Sequence, residues 1–196
     1  MTVSVRPLVG DDLAEGVDAL ARLRIAVFRH WPYLYDGDPA YEARYLASYG
    51  NTPAAVMVGA WDGDQLVGAA TGMPLLAHRE AAEGGHWPED APPLSRIFYC
   101  AESVLLPRYR GQGIGHIFFD YREELAREQG FHWCCFASVI RPDSHPLKPA
   151  GYRPLDPFWR KRGYAPLPGA VERFRWKDIG EAEETEKELQ IWLRAL

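Results

Sequence analysis

Cysteine is scarce in this chain, and long apolar runs and an excess of basic residues are missing altogether. The three cysteines are Cys100, Cys134 and Cys135. Cys134 and Cys135 are neighbours in an apolar stretch that reads as a strand, so they point to opposite faces and cannot pair with each other. No metal-ligand spacing surrounds them, which excludes a disulfide framework and a zinc site and leaves buried, reduced thiols as the expected state. No run of 18 apolar residues occurs, and the opening MTVSVRPL lacks a basic segment followed by an apolar one. The expectation is a cytosolic protein with no membrane partner. With 22 Lys and Arg against 27 Asp and Glu, the net charge of −5 argues against a nucleic-acid binder that relies on a basic face. What is present is ordinary for one globular domain with a substantial core: 196 residues, 47% hydrophobic and 25% charged.

The most informative stretch runs from Arg96 to Gly130. It predicts a strand over 96–106, a turn at Pro107, a glycine-rich loop from Arg110 to Gly115, and a helix ending at Gly130. The first N–H groups of a helix have no intrahelical acceptor, and the aligned peptide dipoles leave partial positive charge there. Glycines at 111, 113 and 115 remove the Cβ atoms that would keep a diphosphate from those groups, and Arg110 adds a fixed cation. A P-loop needs Lys-Ser/Thr after its last glycine, where this chain has His116 and Ile117. A dinucleotide fingerprint needs an acidic residue on the next strand, and 132–140 (HWCCFASVI) has no carboxylate. Asp143, Ser144 and His145 suggest a hydrolase, but no Gly-x-Ser-x-Gly elbow occurs. They read as the tip of a Pro-bounded loop or as part of an acceptor pocket.

What remains is Arg110-x-x-Gly113-x-Gly115 preceded by Leu105-Leu106-Pro107. It resembles the central motif of the GNAT superfamily of acyl-CoA-dependent N-acyltransferases. A softer pattern of that family, Phe-Tyr-x-Lys-x-Gly-Phe, is answered by 158–164 (FWRKRGY). The resemblance covers most of the chain. It implies an α/β domain, layered in the α+β manner, with a mixed, mostly antiparallel sheet of six or seven strands flanked by helices. It also implies acetyl-CoA as co-substrate without a metal, gripped at Leu105, Arg110, Gly111, Gln112, Gly113, Ile114 and Gly115. The acceptor would be a primary amine that attacks the thioester directly.

Read in order, Val3 and Val5 alternate with polar neighbours in a short strand stopped at Pro7. Asp11 or Asp12 can cap a helix carrying Leu13, Val17, Leu20, Leu23 and Val27. A second helix is expected from Pro39 to about Ser48, in a region dense in aromatics (Trp31, Tyr33, Tyr35, Tyr41, Tyr45, Tyr49). These rings either pack a helix hairpin or border the acceptor pocket. Strands at 54–61 and 65–73 flank an Asp-Gly-Asp turn. The residues from about 74 to 93 exceed what a hairpin needs and read as an insertion, either a lid or a surface excursion. The apolar run 132–140 fits a strand parallel to its predecessor. The 157–162 segment reads as a helix and 170–177 as a strand. The chain therefore divides into a domain over 1–178 and an amphipathic helix over 179–196, whose Leu189, Trp192, Leu193 and Leu196 stripe packs on its own domain or on a second copy.

Acyl transfer needs a grip on the diphosphate, a polarised thioester carbonyl, and a proton acceptor for the ammonium; a donor to the leaving thiolate is optional. Glu102 lies in an otherwise apolar strand and is the candidate base, unless it pairs with an arginine such as Arg96 or Arg108. The resemblance implies that the strand ending at Pro107 splays from 132–140, turning an N–H near Leu105 toward the acyl oxygen. The position of the family's usual tyrosine acid holds Trp159, which cannot donate a proton practically. Tyr164 and Tyr152 are the substitutes, and a thiolate with a thiol pKa of about 8.5 can leave without an acid. The asparagine often found after the fifth strand is also missing, since the sole Asn is Asn51. Arg160, Lys161 and Arg162 either touch the 3′-phosphate of CoA or form a solvated face. A binding module that keeps the CoA site with little catalysis, and a protein or peptide acetyltransferase, are the rival functions.

Overall fold

The computed structural model describes residues 3–8, 11–50, 52 and 54–196, with the side chains of 11–15 and 48 outside that description. The expected cap at Asp11 or Asp12 and the lone Asn51 therefore lie outside the described residues. Two helices open the chain, α1 (Asp11–Phe28) and α2 (Pro39–Gly50), after a short strand β1 (Ser4–Pro7). The hairpin of β2 (Val56–Asp62) and β3 (Gln65–Pro74) follows. The sheet is sandwiched because its side chains alternate. Met57, Ala69 and Met73 face Leu20, Leu23, Leu46 and Tyr49 of α1 and α2. Their neighbours Val58, Ala60 and Ala70 face Ile114 and Phe118 of α4 (Ile114–Glu128) on the other side.

The remaining strands are β4 (Gly85–His86), β5 (Ile97–Tyr99), β6 (Ser103–Leu105), β7 (Trp133–Val139), β8 (Ala165–Lys177) and β9 (Glu184–Ala195); α3 (Arg79–Gly84) and α5 (Asp156–Lys161) complete the described elements. The sheet order is β1-β2-β3-β5-β7-β9-β8-β4, with β6 also on β3. The β5–β7 pair is parallel, as the helical crossover through α4 requires, and the other named pairs are antiparallel.

Three expectations are corrected. The tail is a strand and not an amphipathic helix. Residues 184–195 fill the space between two edges, pairing with β7 from Trp133↔Ala195 to Val139↔Leu189 and with β8 from Ala165↔Leu193 to Lys177↔Glu184. Leu189 and Ile191 are buried between exposed Glu186 and Glu188 and the partly buried Leu193. That alternation of period two competes with the helical spacing, and two backbone ladders outweigh the local helix propensity. The 96–106 strand is likewise interrupted, because residues 100–102 leave the ladder between β5 and β6. Among the described residues the sheet accordingly has nine strands, not six or seven. The tail, the split of 96–106 and β4 of the 74–93 segment each add one.

That segment lies across the end of the sheet, with Gly85 opposite Glu172 of β8. Glu172 is wholly buried. Its Oε2 accepts from the Tyr99 hydroxyl at 2.8 Å, and burial pushes its carboxyl up to about 8 from 4.5, opposed by that hydrogen bond. The folded state thus keeps a proton that the unfolded chain releases, so this group's contribution is lost as pH rises from about 4.5 to about 8. The Tm of a Glu172→Gln variant, measured against the native protein across that range, should gain on it progressively. A constant difference would show that the site does not titrate with folding.

Candidate active site

The site begins where two strands part. β5 runs beside β7 from Ile97↔Trp133 to Tyr99↔Cys135, and the last shared bond is from the Cys100 N–H to the Cys135 carbonyl at 2.8 Å. Beyond it, β7 goes on pairing with β9, while β6 stays on β3 through Ala70↔Ser103 and Gly68↔Leu105. Between Met73↔Tyr99 and Ala70↔Ser103 the second strand carries one extra residue. This bulge sits opposite Thr71: the Ala101 N–H donates to its carbonyl at 3.1 Å, and its own N–H donates to the Glu102 carbonyl at 3.0 Å. A bulge bends the strand and re-aims a side chain, here Glu102. Leu106 donates to the Val67 carbonyl at 3.0 Å. Alternation along an antiparallel strand therefore turns the Leu105 N–H away from β3 and into the opening.

Past Pro107 the chain makes a 3₁₀ turn to Tyr109 and then the glycine loop. Gly111 and Gly113 have φ of 76° and 83°, and a Cβ built on either would meet nothing within 4 Å. Gly113 is the N-terminal cap of α4, whose first bonds run from the His116 and Ile117 N–H groups to its carbonyl. A helix start with free N–H groups thus faces open space, the condition for holding an anion. Arg110 Nε donates to the Leu105 carbonyl at 3.2 Å, and Gln112 Nε2 donates to the Arg108 carbonyl at 3.2 Å. These two bonds tie the loop to the end of β6.

Beneath the opening, between α1, α2, the 74–93 segment and the β8–β9 pair, lies a cavity of about 560 Å³. Glu102, Tyr45, His78, Tyr99, Tyr33 and Trp176 line it. Glu102 Oε2 accepts from Arg24 Nη1 at 2.9 Å and from the Tyr45 hydroxyl at 2.9 Å. Glu102 Oε1 is buried and has no hydrogen-bond partner among the described residues. His78 Nδ1 accepts from the Ala81 N–H at 3.2 Å, which assigns the ring proton to Nε2, 3.2 Å from the Tyr45 oxygen. Burial pushes the imidazole down to about 4, so it is neutral at physiological pH. Burial, reinforced by the Glu102 charge, holds the Tyr45 hydroxyl well above its usual value, so it keeps its proton. Burial pushes Tyr33 up to about 12.

The site residues expected from sequence are only partly brought together. Leu105 and 110–115 run from the end of β6 to the start of α4 and do not line the cavity, whereas Glu102 does. Its arginine partner is Arg24 on α1, neither Arg96 nor Arg108. Tyr164 is on the other side of the sheet, packed with Phe119 and Phe136, and its hydroxyl donates to Glu123 Oε1 at 3.0 Å. Tyr152 stands against Trp31 at 6.0 Å between ring centroids. Neither tyrosine lines the cavity. Trp159 is wedged between Phe136 and Trp192 at 4.9 and 5.1 Å. Asp143 pairs with Lys148 at 2.6 Å, and His145 Nδ1 accepts from the Leu147 N–H, so both serve their own loop. Arg162 is engaged by Asp120 and Glu123.

The sequence reading missed Arg24, Glu42 and Arg122. The signal was present: each is a charged residue on an otherwise apolar helical stripe. Arg24 stands seven after Val17 and four after Leu20, Glu42 stands with Tyr45, Leu46 and Tyr49, and Arg122 stands with Phe118, Phe119 and Ala126. A charge at a core position implies a buried partner.

Residues 23–146, more than half of the chain, match the sequence profile described as Acetyltransferase (GNAT) family. No curated protein gives a significant match. Similar solved structures include the ribosomal-protein-alanine N-acetyltransferase from Brucella melitensis, at TM-score 0.61 and 15% identity over 98% of this chain and 99% of that one. An aminoglycoside 6′-N-acetyltransferase complexed with coenzyme A gives 0.61 and 16% over 100% and 97%. The PaiA N-acetyltransferase from Thermoplasma acidophilum, also complexed with coenzyme A, gives 0.56 and 12% over the whole of both chains. At these identities the likeness is one of fold.

Proposed function

The chain belongs to the GNAT acetyltransferase family, and on that premise we propose that it transfers the acetyl group of acetyl-CoA to a primary amine of a small molecule, with Glu102 as the proton acceptor. The observation that carries this reading is the unpartnered, buried Glu102 Oε1 at the cavity, just beyond the point where β5 stops pairing with β7. In this reading the 110–115 loop and the start of α4 hold the diphosphate, and the Leu105 N–H polarises the acyl carbonyl. Glu102 Oε1 takes a proton from the ammonium, and the freed nitrogen pair attacks the carbonyl carbon. The C–S bond then breaks with the electron pair leaving on sulfur, and the second proton shed by nitrogen ends on that sulfur, giving the neutral amide and the thiol of CoA. Because Tyr152 and Tyr164 do not line the cavity, neither is assigned as proton donor to the thiolate, which can leave without one at a thiol pKa of about 8.5.

A small acceptor is favoured by enclosure. The cavity has walls on several sides, including His78 and Glu80 of the 74–93 segment, and is dense in aromatic rings, unlike an open peptide groove. An amine is favoured by charge, since six carboxylates (Asp36, Asp38, Glu42, Glu80, Glu102 and Glu184) line it against four cations (Arg24, Arg44, Arg175 and Lys177).

The first test needs no acceptor. At a hundredfold excess over Kd, acetyl-CoA should stabilise the protein by about 2.7 kcal/mol, raising Tm by roughly 5–10 °C for a domain of this size. Free adenine nucleotides should do much less. A matching shift followed by CoA release with small primary amines establishes the reaction. A shift without turnover for any amine points to a binding module, and no shift removes the cofactor site.

A further inference from the structure

The cavity floor holds three charges in a row. Arg24 Nε bonds Glu42 Oε2 at 2.5 Å, and Arg24 Nη1 bonds Glu102 Oε2 at 2.9 Å. Arg24 is 7% exposed, Glu42 0% and Glu102 5%. The guanidinium also lies over the Tyr45 ring at 4.3 Å and the Phe28 ring at 5.0 Å. One arginine between two carboxylates is one cation short of neutrality when both are ionised. Such a buried excess is costly unless something compensates it. Glu42 also lines the cavity, and its Oε1 is likewise buried without a hydrogen-bond partner among the described residues, while its Oε2 is held by Arg24.

We propose that Glu42 is a positioning residue for the transfer: by neutralising Arg24 it leaves Glu102 free to act as a base. The inference rests on the reading of Glu102 as proton acceptor. An arginine with no other partner would hold Glu102 as a carboxylate and make it reluctant to take a proton. In a buried site that hold is stronger than in water. With Glu42 in place, Arg24 has a carboxylate of its own, and the acceptor's ammonium supplies the missing positive charge. When the N–H proton moves to Glu102 Oε1, the amine and the Glu102 carboxyl both become neutral and the Arg24–Glu42 pair is unchanged. The total charge in the site is therefore the same before and after proton transfer, so no ion is left uncompensated at the moment of attack.

The groups that face Glu102 come from every neighbouring element. Arg24 approaches from α1, Glu42, Tyr45 and Tyr49 from α2, Thr71 from β3, and His78 from the 74–93 segment. Tyr45 links the other three polar groups, since its hydroxyl meets His78 Nε2 and the Tyr49 hydroxyl at 3.2 Å each, and Thr71 Oγ1 donates to the Tyr49 hydroxyl at 3.0 Å. His78 is neutral for the reason given above and the tyrosines keep their protons. Arg24 is then the charge that contacts the Glu102 carboxylate, with Glu42 behind it on the same guanidinium, while Arg122 of α4 contacts Glu102 only at its backbone carbonyl, at 3.0 Å.

The test uses the full chain labelled with ¹³C at its glutamate carboxyls, with the Glu102 signal identified as the one missing from Glu102→Gln. In Glu42→Gln, the pH at which this signal moves should fall by about one unit or more. In Glu42→Asp, which keeps the charge, it should stay near the native position. In Arg24→Met it should rise, and this opposite sign keeps the proposal testable should Glu42→Gln fold poorly. An acetyl-CoA thermal shift in each variant verifies the fold. A Glu102 signal unmoved in Glu42→Gln, or unmoved in Arg24→Met, overturns the role of Glu42. If instead acetyl transfer survives Glu102→Gln, the base assignment itself falls, and the two failures are told apart.

Discussion

Replacing Glu102 by Gln should lower kcat for acetyl transfer by about 10²- to 10⁴-fold, the usual contribution of a positioned general base. The acetyl-CoA thermal shift should remain, because Glu102 lines the cavity and the glycine loop does not. Gln is nearly isosteric, and its amide oxygen can still accept from Arg24 Nη1 and the Tyr45 hydroxyl, as Glu102 Oε2 does. What it cannot do is take a proton at the buried, unpartnered Oε1 position. The residual rate should climb with pH as the free amine becomes more abundant. Steady-state CoA release at saturating acetyl-CoA reads both quantities. A variant within twofold of native would mean that solvent removes the proton.

The second large effect is on stability. Arg122 is 1% exposed in the middle of α4. It donates from Nε to the Phe118 carbonyl at 3.0 Å, from Nη1 to the Thr71 and Glu102 carbonyls at 3.1 and 3.0 Å, and from Nη2 to Ser103 Oγ at 2.8 Å. One guanidinium thus clamps both sides of the bulge that aims Glu102. Hydrogen bonds from a charged donor contribute about 1.5–3 kcal/mol each, though not additively. An Arg122→Met variant should therefore lose about 3 kcal/mol or more, or roughly 6–12 °C in Tm. Below its Tm it should also lose activity, because a displacement of about 1 Å at a reacting group can cost 10²-fold. Thermal denaturation and assays at low temperature separate the two losses. A stable variant with native turnover would show that the bulge holds without its clamp.

Much of this was written in local order. The strand, glycine loop and helix from Arg96 to Gly130 could be read because phosphate-binding geometry depends on consecutive residues: Gly111 and Gly113 do adopt positive φ, and α4 does start just after them. The β2–β3 hairpin and the parallel β5–β7 pair followed from an Asp-Gly-Asp turn and an apolar run. The tail defeated local reading because its apolar residues satisfy helical and strand spacing at once. Only the two vacant edges of β7 and β8 made the choice.

The sequence by itself determined the family, the glycine loop that leads into α4 and the presence of a carboxylate between β5 and β6, since each of these resides in neighbouring residues. Tertiary structure alone decided what that carboxylate touches. Arg24 stands 78 positions before Glu102, and Tyr45 stands 57 before it; a linear pattern carries no distance between such residues. It also decided that Tyr164 faces Glu123 behind the sheet and that Arg122 secures the bulge. The physical reason is the same throughout. Backbone conformation is set by a few adjacent residues, whereas the environment of a buried charge is set by whichever elements the packed core brings around it.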